Sequence, residues 1–346
     1  MVMNRVGVAM IGLGLAVKPH ALALRDLAQR IDFLGGFSPS ETRRSAFHRQ
    51  YDLPVFDSLD ALLADPRVQA ILILTPPRTH AAVAAQAVRA GKHILLEKPV
   101  DVNLDGARRT VEAVASAGLK LGVVFQHRYR GAVLTLRDLL AQGEIGEIIS
   151  ASASVRWWRG PDYFAQPGRG ILARDGGGVL LTQAIHTLDV LLNLVGPAEE
   201  VTASCKTSAL RAIDTEDVAC ATVRYRCGAL GVIDATTVAY PGYPERVEIA
   251  GTRGSAVLEA GRLLVHRAGK ASMDIAGSSQ GGGGADPMAF SHEPHRALLE
   301  DFVDAIQTGR EALASGRSAL PVHALIDAIL ESSRIRQPVK VRDALG

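Results

Sequence analysis

The chain has 346 residues, more than one ordinary hydrophobic core supports, so two domains are expected. Its 38 basic and 36 acidic residues give a formal net charge of +2. No basic run is long enough to track a phosphate backbone, which argues against nucleic acid as a partner. The three cysteines, Cys205, Cys220 and Cys227, form neither a disulfide framework nor a zinc spacing, as expected of a reduced, cytoplasmic protein.

The first apolar stretch, VGVAMIGLGLAV at residues 6–17, has the length of a signal-peptide core, but its glycines suit a strand followed by a tight turn. No window reaches the 18 or so unbroken apolar residues of a membrane span, so no membrane partner is expected. Strands are expected over residues 5–10, 32–37, 70–74, 93–97 and 120–125, with helices over 16–30, 40–50, 58–64, 79–90 and 103–117 between them. Strands apolar on both faces, separated by amphipathic helices, predict a doubly wound parallel sheet, the architecture of a nucleotide-binding half. This half is assigned residues 1–126.

Residues 127–346 read differently. Helices over 132–141 and 179–194 precede strands over 200–206, 217–226, 229–237, 245–250, 255–259 and 262–266. Short turns such as RCGA and GTRGS join neighbouring strands, which predicts an α+β domain with a largely antiparallel sheet. The glycine-rich tract 277–287 is expected to be a mobile loop, and helices over 293–307 and 321–336 close the chain.

The motifs lie at strand ends. In GLGLAV, residues 12–17, Gly12, Leu13 and Gly14 lead from the first strand to the first helix. Glycines there let the backbone approach a pyrophosphate held at the helix start. The third fingerprint position, ordinarily Gly or Ala, is Val17. After the second strand the sequence offers Ser38, Ser40, Arg43 and Arg44 in place of the acid that binds a ribose 2′-hydroxyl. That favours NADP(H), with NAD(H) possible, unless the arginines are simply a solvated helix face. LTPPRTH places Thr75 and Pro76 at the carboxyl end of the 70–74 strand, lining the cofactor cleft, with His80 expected as a further cofactor contact or simply as a helix cap.

HILLEKPVD ends the next strand in Glu97, Lys98 and Pro99. Proline stops the strand and presents the lysine. The ammonium can hydrogen-bond a substrate hydroxyl, with Glu97 to orient it; taken alone, the pair reads as a surface ion pair. In DGGGVLLTQAIHTLDVL, three glycines precede a helix on which Thr182, His186 and Asp189 are four and three residues apart, hence on one face. A histidine there can exchange a proton with an alcohol at neutral pH, and Asp189 can fix its tautomer or bind a hydroxyl. An isolated histidine in so apolar a helix is more often a core residue. One His and one Asp are too few for a metal site, and none is expected. VRWWRGPDYFAQPGRG sets Trp157, Trp158, Arg159, Tyr163 and Phe164 just ahead of that helix. Such a surface suits a polyol or, equally, a dimer contact.

Together these stretches, with the closing DFVDAIQTGREALASG, resemble the Gfo/Idh/MocA oxidoreductases over nearly the whole chain. The strongest element is EKP followed, 88 residues after its lysine (186 minus 98), by the GGG and HxxD helix. The resemblance implies a Rossmann domain followed by an α+β domain whose open sheet forms a homodimer or homotetramer. It implies NAD(P)-dependent oxidation or reduction of a sugar, inositol or related hydroxyl, with Lys98 and His186 catalytic. Matching the family's remaining site positions adds Gln126, Arg128, Tyr163, Gln183 and Asp189. Many members carry an aspartate four residues before the histidine, where this chain has Thr182. Either Lys98 and His186 suffice, as in similar nucleotide-sugar dehydrogenases with a neutral residue there, or turnover is reduced. A silent nucleotide-sensing regulator, a glycosidase using the nucleotide as a redox auxiliary, and a dihydrodiol-type dehydrogenase are the competing functions.

Overall fold

The computed structural model describes residues 5–166, 168–277 and 291–344. The chain divides into two compact units, Met1–Gln126 with His292–Ala319, and His127–Ser291 with Leu320–Gly346.

The first unit alternates β1 (Val6–Ile11), α1 (Val17–Asp26), β2 (Ile31–Phe37), α2 (Glu41–Tyr51), α3 (Leu59–Ala64), β3 (Ala70–Ile73), α4 (His80–Arg89), β4 (His93–Leu96), α5 (Leu104–Ser116) and β5 (Leu121–Val123). All five strands are parallel, in the order β2-β1-β3-β4-β5. Helices cover both faces, so β1, β3 and β5 are buried at every position, as their unbroken apolar sequences require. Ser40, Ser58 and Asn103 start α2, α3 and α5 by accepting the backbone N–H three residues on.

The second unit contains α6 (Gly131–Ala141), β6 (Ile148–Arg156), α7 (Pro161–Phe164), α8 (Leu172–Asp175), α9 (Ile185–Val195), β7 (Ala198–Lys206), β8 (Val218–Tyr225), β9 (Leu230–Thr236), β10 (Arg246–Gly251), β11 (Gly254–Glu259), β12 (Arg262–Arg267) and β13 (Met273–Ile275). Later come α10 (Glu293–Thr308), α11 (Gly316–Ile335) and β14 (Val339–Lys340). The sheet has nine strands in the order β13-β12-β11-β10-β6-β9-β8-β7-β14. It is antiparallel except where β6 runs beside β9. Its strands alternate in burial, as β8 shows from Ala219 to Tyr225, because helices cover one face. Among the described residues, Leu172–Val195 is the stretch long and apolar enough to cross a membrane, and 89% of its apolar window is buried within the protein.

The sequence reading lacks α7, α8, β13 and β14, and it differs in two larger features. Strand β6 was not expected, because IISASASVR lacks the bulky β-branched alternation that marks a strand. Its inward positions are Ala151, Ala153 and Val155, against which α9 packs. Residues 292–319, assigned by sequence to the second half, lie with the first, because α10 packs on α1. Arg30 donates to Glu300 at 3.0 Å and to Asp304, and His292 Nε2 lies 2.7 Å from Asp26. Of the glycine-rich tract 277–287, all but Gly277 lies outside the described residues.

Candidate active site

The register of the first sheet sets Ile11 beside Ile73, Ile73 beside Leu96 and Leu96 beside Val123. The next residues therefore leave the sheet at one edge: Gly12, Thr75, Lys98 and Gln126 all belong to carboxyl-end turns. Gly12 has φ +101°, and a Cβ there would lie 2.7 Å from the Leu74 carbonyl, so both the turn and the close approach require glycine. Leu13 is buried behind the turn. Gly14 is exposed, with nothing within 4 Å of where its Cβ would stand. Helix α1 has no side-chain cap and no acid in its first turn. Its first amides and the positive end of its dipole suit an anion. These features fit a dinucleotide pyrophosphate, and Val17, buried in the first turn of α1, does not obstruct them.

The side chains expected at the adenosine ribose are partly committed elsewhere. Ser40 Oγ accepts the Arg43 amide at 3.3 Å, buried Ser38 accepts the Ser40 amide at 3.3 Å, and Arg44 donates to the Ser38 carbonyl at 2.7 Å. The two hydroxyls hold the start of α2, which leaves exposed Arg43 as the expected residue best suited to a phosphate.

Glu97 Oε2 accepts the Lys98 amide at 3.1 Å, and Oε1 lies 3.1 Å from Nε2 of buried His20 on α1. Burial alone would raise the Glu97 pKa, but the His20 hydrogen bond and the nearby His20 and Lys98 charges bring it below the ordinary value. Glu97 thus steadies the lysine's backbone. With His295 on α10, whose ring meets His20 edge-on, the three possible ligand atoms spread over up to 4.8 Å. Tetrahedral zinc holds its ligands roughly 3.4 Å apart, so we assign the cluster to a hydrogen-bonded tie.

A cis peptide joins Lys98 to Pro99. The Pro99 carbonyl lies 2.8 Å from Nδ1 of His80, whose Nε2 lies 2.8 Å from the Thr75 carbonyl. His80 is fully buried, and burial lowers its pKa although both carbonyls oppose the shift. Expected as a cofactor contact, His80 is instead buried between the Thr75 turn and the turn that carries Lys98, and as a neutral imidazole it donates to one of the two carbonyls. Thr75 is half-buried and Pro76 exposed. Gln126 is buried, and its Oε1 has no hydrogen-bond partner among the described residues, which fits a donor from a bound ligand.

In the second unit two of the three glycines have distinct duties. Gly176 ends α8 at φ +78°. A Cβ on Gly178 would lie 1.9 Å from the Glu216 carbonyl oxygen, because the β8 approach crosses it. Glu216 caps the next turn, accepting the Gly178 amide at 3.0 Å and the Leu180 amide at 3.2 Å. Residues Leu180–Ala184 form one π-helical turn leading into α9, a device common at functional sites.

Thr182, His186 and Asp189, grouped on one face by their spacing, engage different partners. Thr182 donates its hydroxyl to the Gly178 carbonyl at 2.6 Å. Asp189 faces Arg128, whose guanidinium donates to both its oxygens at 2.7 and 2.5 Å, and each partner is 2% exposed. Burial raises the Asp189 pKa against the pull of Arg128. Burial would lower Arg128, but Asp189 holds it above its ordinary value. A guanidinium has donors only, so a bidentate pair of this kind is ionised. Expected beside substrate or His186, Arg128 and Asp189 instead hold each other. His186, 9% exposed, stacks on His127 with ring centroids 4.7 Å apart.

The aromatic segment forms a wall of rings and guanidinium groups. Buried Arg159 lies over Trp157 at 4.8 Å and Tyr163 at 5.7 Å. Arg211 lies over Phe164 at 4.4 Å and half-buried Trp158 at 5.5 Å. Gln183 donates to the Tyr163 hydroxyl at 3.0 Å, which brings two expected substrate residues together.

The family models agree with this division. Residues 6–125 match the oxidoreductase family NAD-binding Rossmann fold, and residues 133–257 match the GFO/IDH/MocA C-terminal domain. The chain belongs to the Gfo/Idh/MocA oxidoreductase family. An uncharacterised oxidoreductase of Bacillus subtilis (strain 168), YrbE, is 27% identical over 344 residues, covering 96% of this chain and 95% of that one. Inositol 2-dehydrogenase of Rhizobium meliloti (strain 1021) is 29% identical over 294 residues, covering 82% and 84%. The WlbA dehydrogenase of Bordetella pertussis, solved with NADH and UDP-GlcNAcA, is 27% identical with a TM-score of 0.83, covering 98% and 100%.

Within this Gfo/Idh/MocA chain, sequence reasoning missed His20, His127, Arg130, Arg211, Glu216 and Glu245. Only Glu216 left a trace: a glycine at 178 signals that something passes close, without saying what.

Proposed function

We propose that the protein transfers a hydride reversibly between C4 of a nicotinamide and the secondary alcohol carbon of a sugar, inositol or related polyol. The carrying observation is the register that sets Lys98 on the same sheet edge as the Gly12 turn, inside the segment matched by the NAD-binding model. The names of the inositol dehydrogenase and WlbA relatives support the substrate class.

Gly12, Gly14 and the start of α1 hold the pyrophosphate, and Gln126 accepts a hydrogen bond from the ligand. With no carboxylate at the end of β2, Arg43 receives a 2′-phosphate, so NADP(H) is preferred. When bound, the dinucleotide accepts or supplies the hydride. His186 takes the proton of the substrate hydroxyl in oxidation and returns it in reduction. Lys98 donates a hydrogen bond to the same oxygen and favours its developing negative charge. Glu97 and His80 position Lys98 through its backbone, and the wall of Trp158, Arg159 and Tyr163 receives the polyol.

The three cysteines are free, which fits a cytoplasmic enzyme. Exposed Ile149, Leu230 and Val232 on neighbouring strands β6 and β9 suit a homo-oligomer through the sheet.

Calorimetric titration with NADPH and NADH, followed by a polyol panel with the better nucleotide, tests the reading. NADPH should bind about tenfold more tightly, and Arg43→Ala should erase the difference. Equal affinities in the parent protein would refute the NADP(H) preference. Thr182, committed to the Gly178 carbonyl, favours the silent regulator as second reading; tight nucleotide binding with no turnover on any polyol would establish it.

A further inference from the structure

We propose that His127 is a positioning residue for His186, a flat platform that fixes the plane of the catalytic imidazole. This rests on the acid–base role given to His186 above. The two rings stack nearly parallel, with centroids 4.7 Å apart and planes 25° apart, and each residue is 9% exposed.

The platform is itself anchored. Nε2 of His127 lies 2.8 Å from Nη2 of Arg130. A guanidinium has only donors, so Nε2 is the acceptor and the proton of His127 sits on Nδ1. The stacked ring is therefore neutral, and its rotation about Cβ is set by the bond to Arg130. Arg130 in turn donates to buried Glu245 at 2.7 Å, just before β10. The chain from Glu245 through Arg130 to His127 thus ends on the face of His186.

An imidazole that must meet a hydroxyl proton loses rate steeply when displaced, about a hundredfold for roughly 1 Å. A side chain on a helix still turns about two bonds, and α9 fixes neither. A ring pressed on one face restricts that turning without using either nitrogen of His186.

Three variants separate the ring from its anchor. His127→Ala removes the ring, His127→Phe keeps a flat ring without the Arg130 bond, and His127→Gln keeps a polar group without a ring. His127→Ala and His127→Gln should lose kcat about tenfold or more. KM for nucleotide should hold in both, and His127→Phe should recover most of the loss.

The ring protons of His186 should carry an upfield ring-current shift in NMR spectra of the parent protein and of His127→Phe, lost in the other two. That readout does not depend on turnover. Wild-type kcat in the alanine variant, a change confined to KM, or a phenylalanine variant no better than glutamine would overturn the proposal. Wild-type turnover in His186→Ala would overturn the functional reading and this proposal with it, whereas loss in His186→Ala alone would overturn only this one.

Discussion

The two units build their candidate functional residues from different material. In the first, the chemistry is carried by main chain: the Gly12 turn, the uncapped start of α1, the Lys98 amide held by Glu97, and the Thr75 and Pro99 carbonyls that flank buried His80. In the second it is carried by side chains meeting side chains: Arg128 on Asp189, His127 on His186, Arg130 on Glu245, Gln183 on Tyr163. A main-chain site tolerates exchange of most side chains but not an added Cβ. A side-chain site tolerates backbone adjustment but not the loss of one partner.

That contrast orders the expected effects. The largest falls on the buried pair of the second unit. Asp189→Ala leaves the Arg128 guanidinium, 2% exposed, without its carboxylate, and should cost about 3–5 kcal/mol in chemical denaturation. Replacing both partners by apolar residues should recover most of this. A loss below 1 kcal/mol in the single variant would break the comparison.

Next is acid sensitivity in the same unit. Burial lowers the pKa of His323 on α11 to about 4, from 6.5. A depressed histidine binds its proton first in the unfolded chain, so stability falls as pH drops from 6.5 toward 4. Over that window the loss is on the order of 3 kcal/mol. His323→Gln should flatten a plot of unfolding free energy against pH, and an unchanged slope would count against the assignment.

A smaller effect belongs to the first unit. Gly12→Ala combines φ +101° with contact at the Leu74 carbonyl and should cost roughly 1–3 kcal/mol. It should appear chiefly as nucleotide affinity in calorimetry. Unaltered affinity would remove Gly12 from the cofactor site.

The same contrast explains what the sequence reveals. Main-chain sites repeat the local rules of strands and turns, so GLGLAV, LTPPRTH and EKP were legible from glycine and proline placed at strand ends. The first sheet and six strands of the second followed from apolar patterns, continuous in β1 and alternating in β8. Side-chain sites depend on pairings across tens of residues. Arg128 meets Asp189 across 61 positions, and Arg130 meets Glu245 across 115. No local pattern encodes either pairing: His186 and Asp189 stand three apart on α9, yet the Asp189 carboxylate is taken by Arg128. Strand β6 escaped for a related reason, since its alanines are small to suit α9 and not to advertise a strand. The return of α10 to the first unit likewise depends on contacts such as Arg30 with Glu300, 270 residues apart.

The central claim is that Lys98 and His186 serve one hydride transfer. Single-turnover absorbance at the nicotinamide band, measured for Lys98→Ala and His186→Ala with the best polyol and saturating nucleotide, tests it most directly. Each variant should be slowed about 10² to 10⁴-fold, with the calorimetric Kd for nucleotide unchanged. Transfer at the parent rate in both would contradict it.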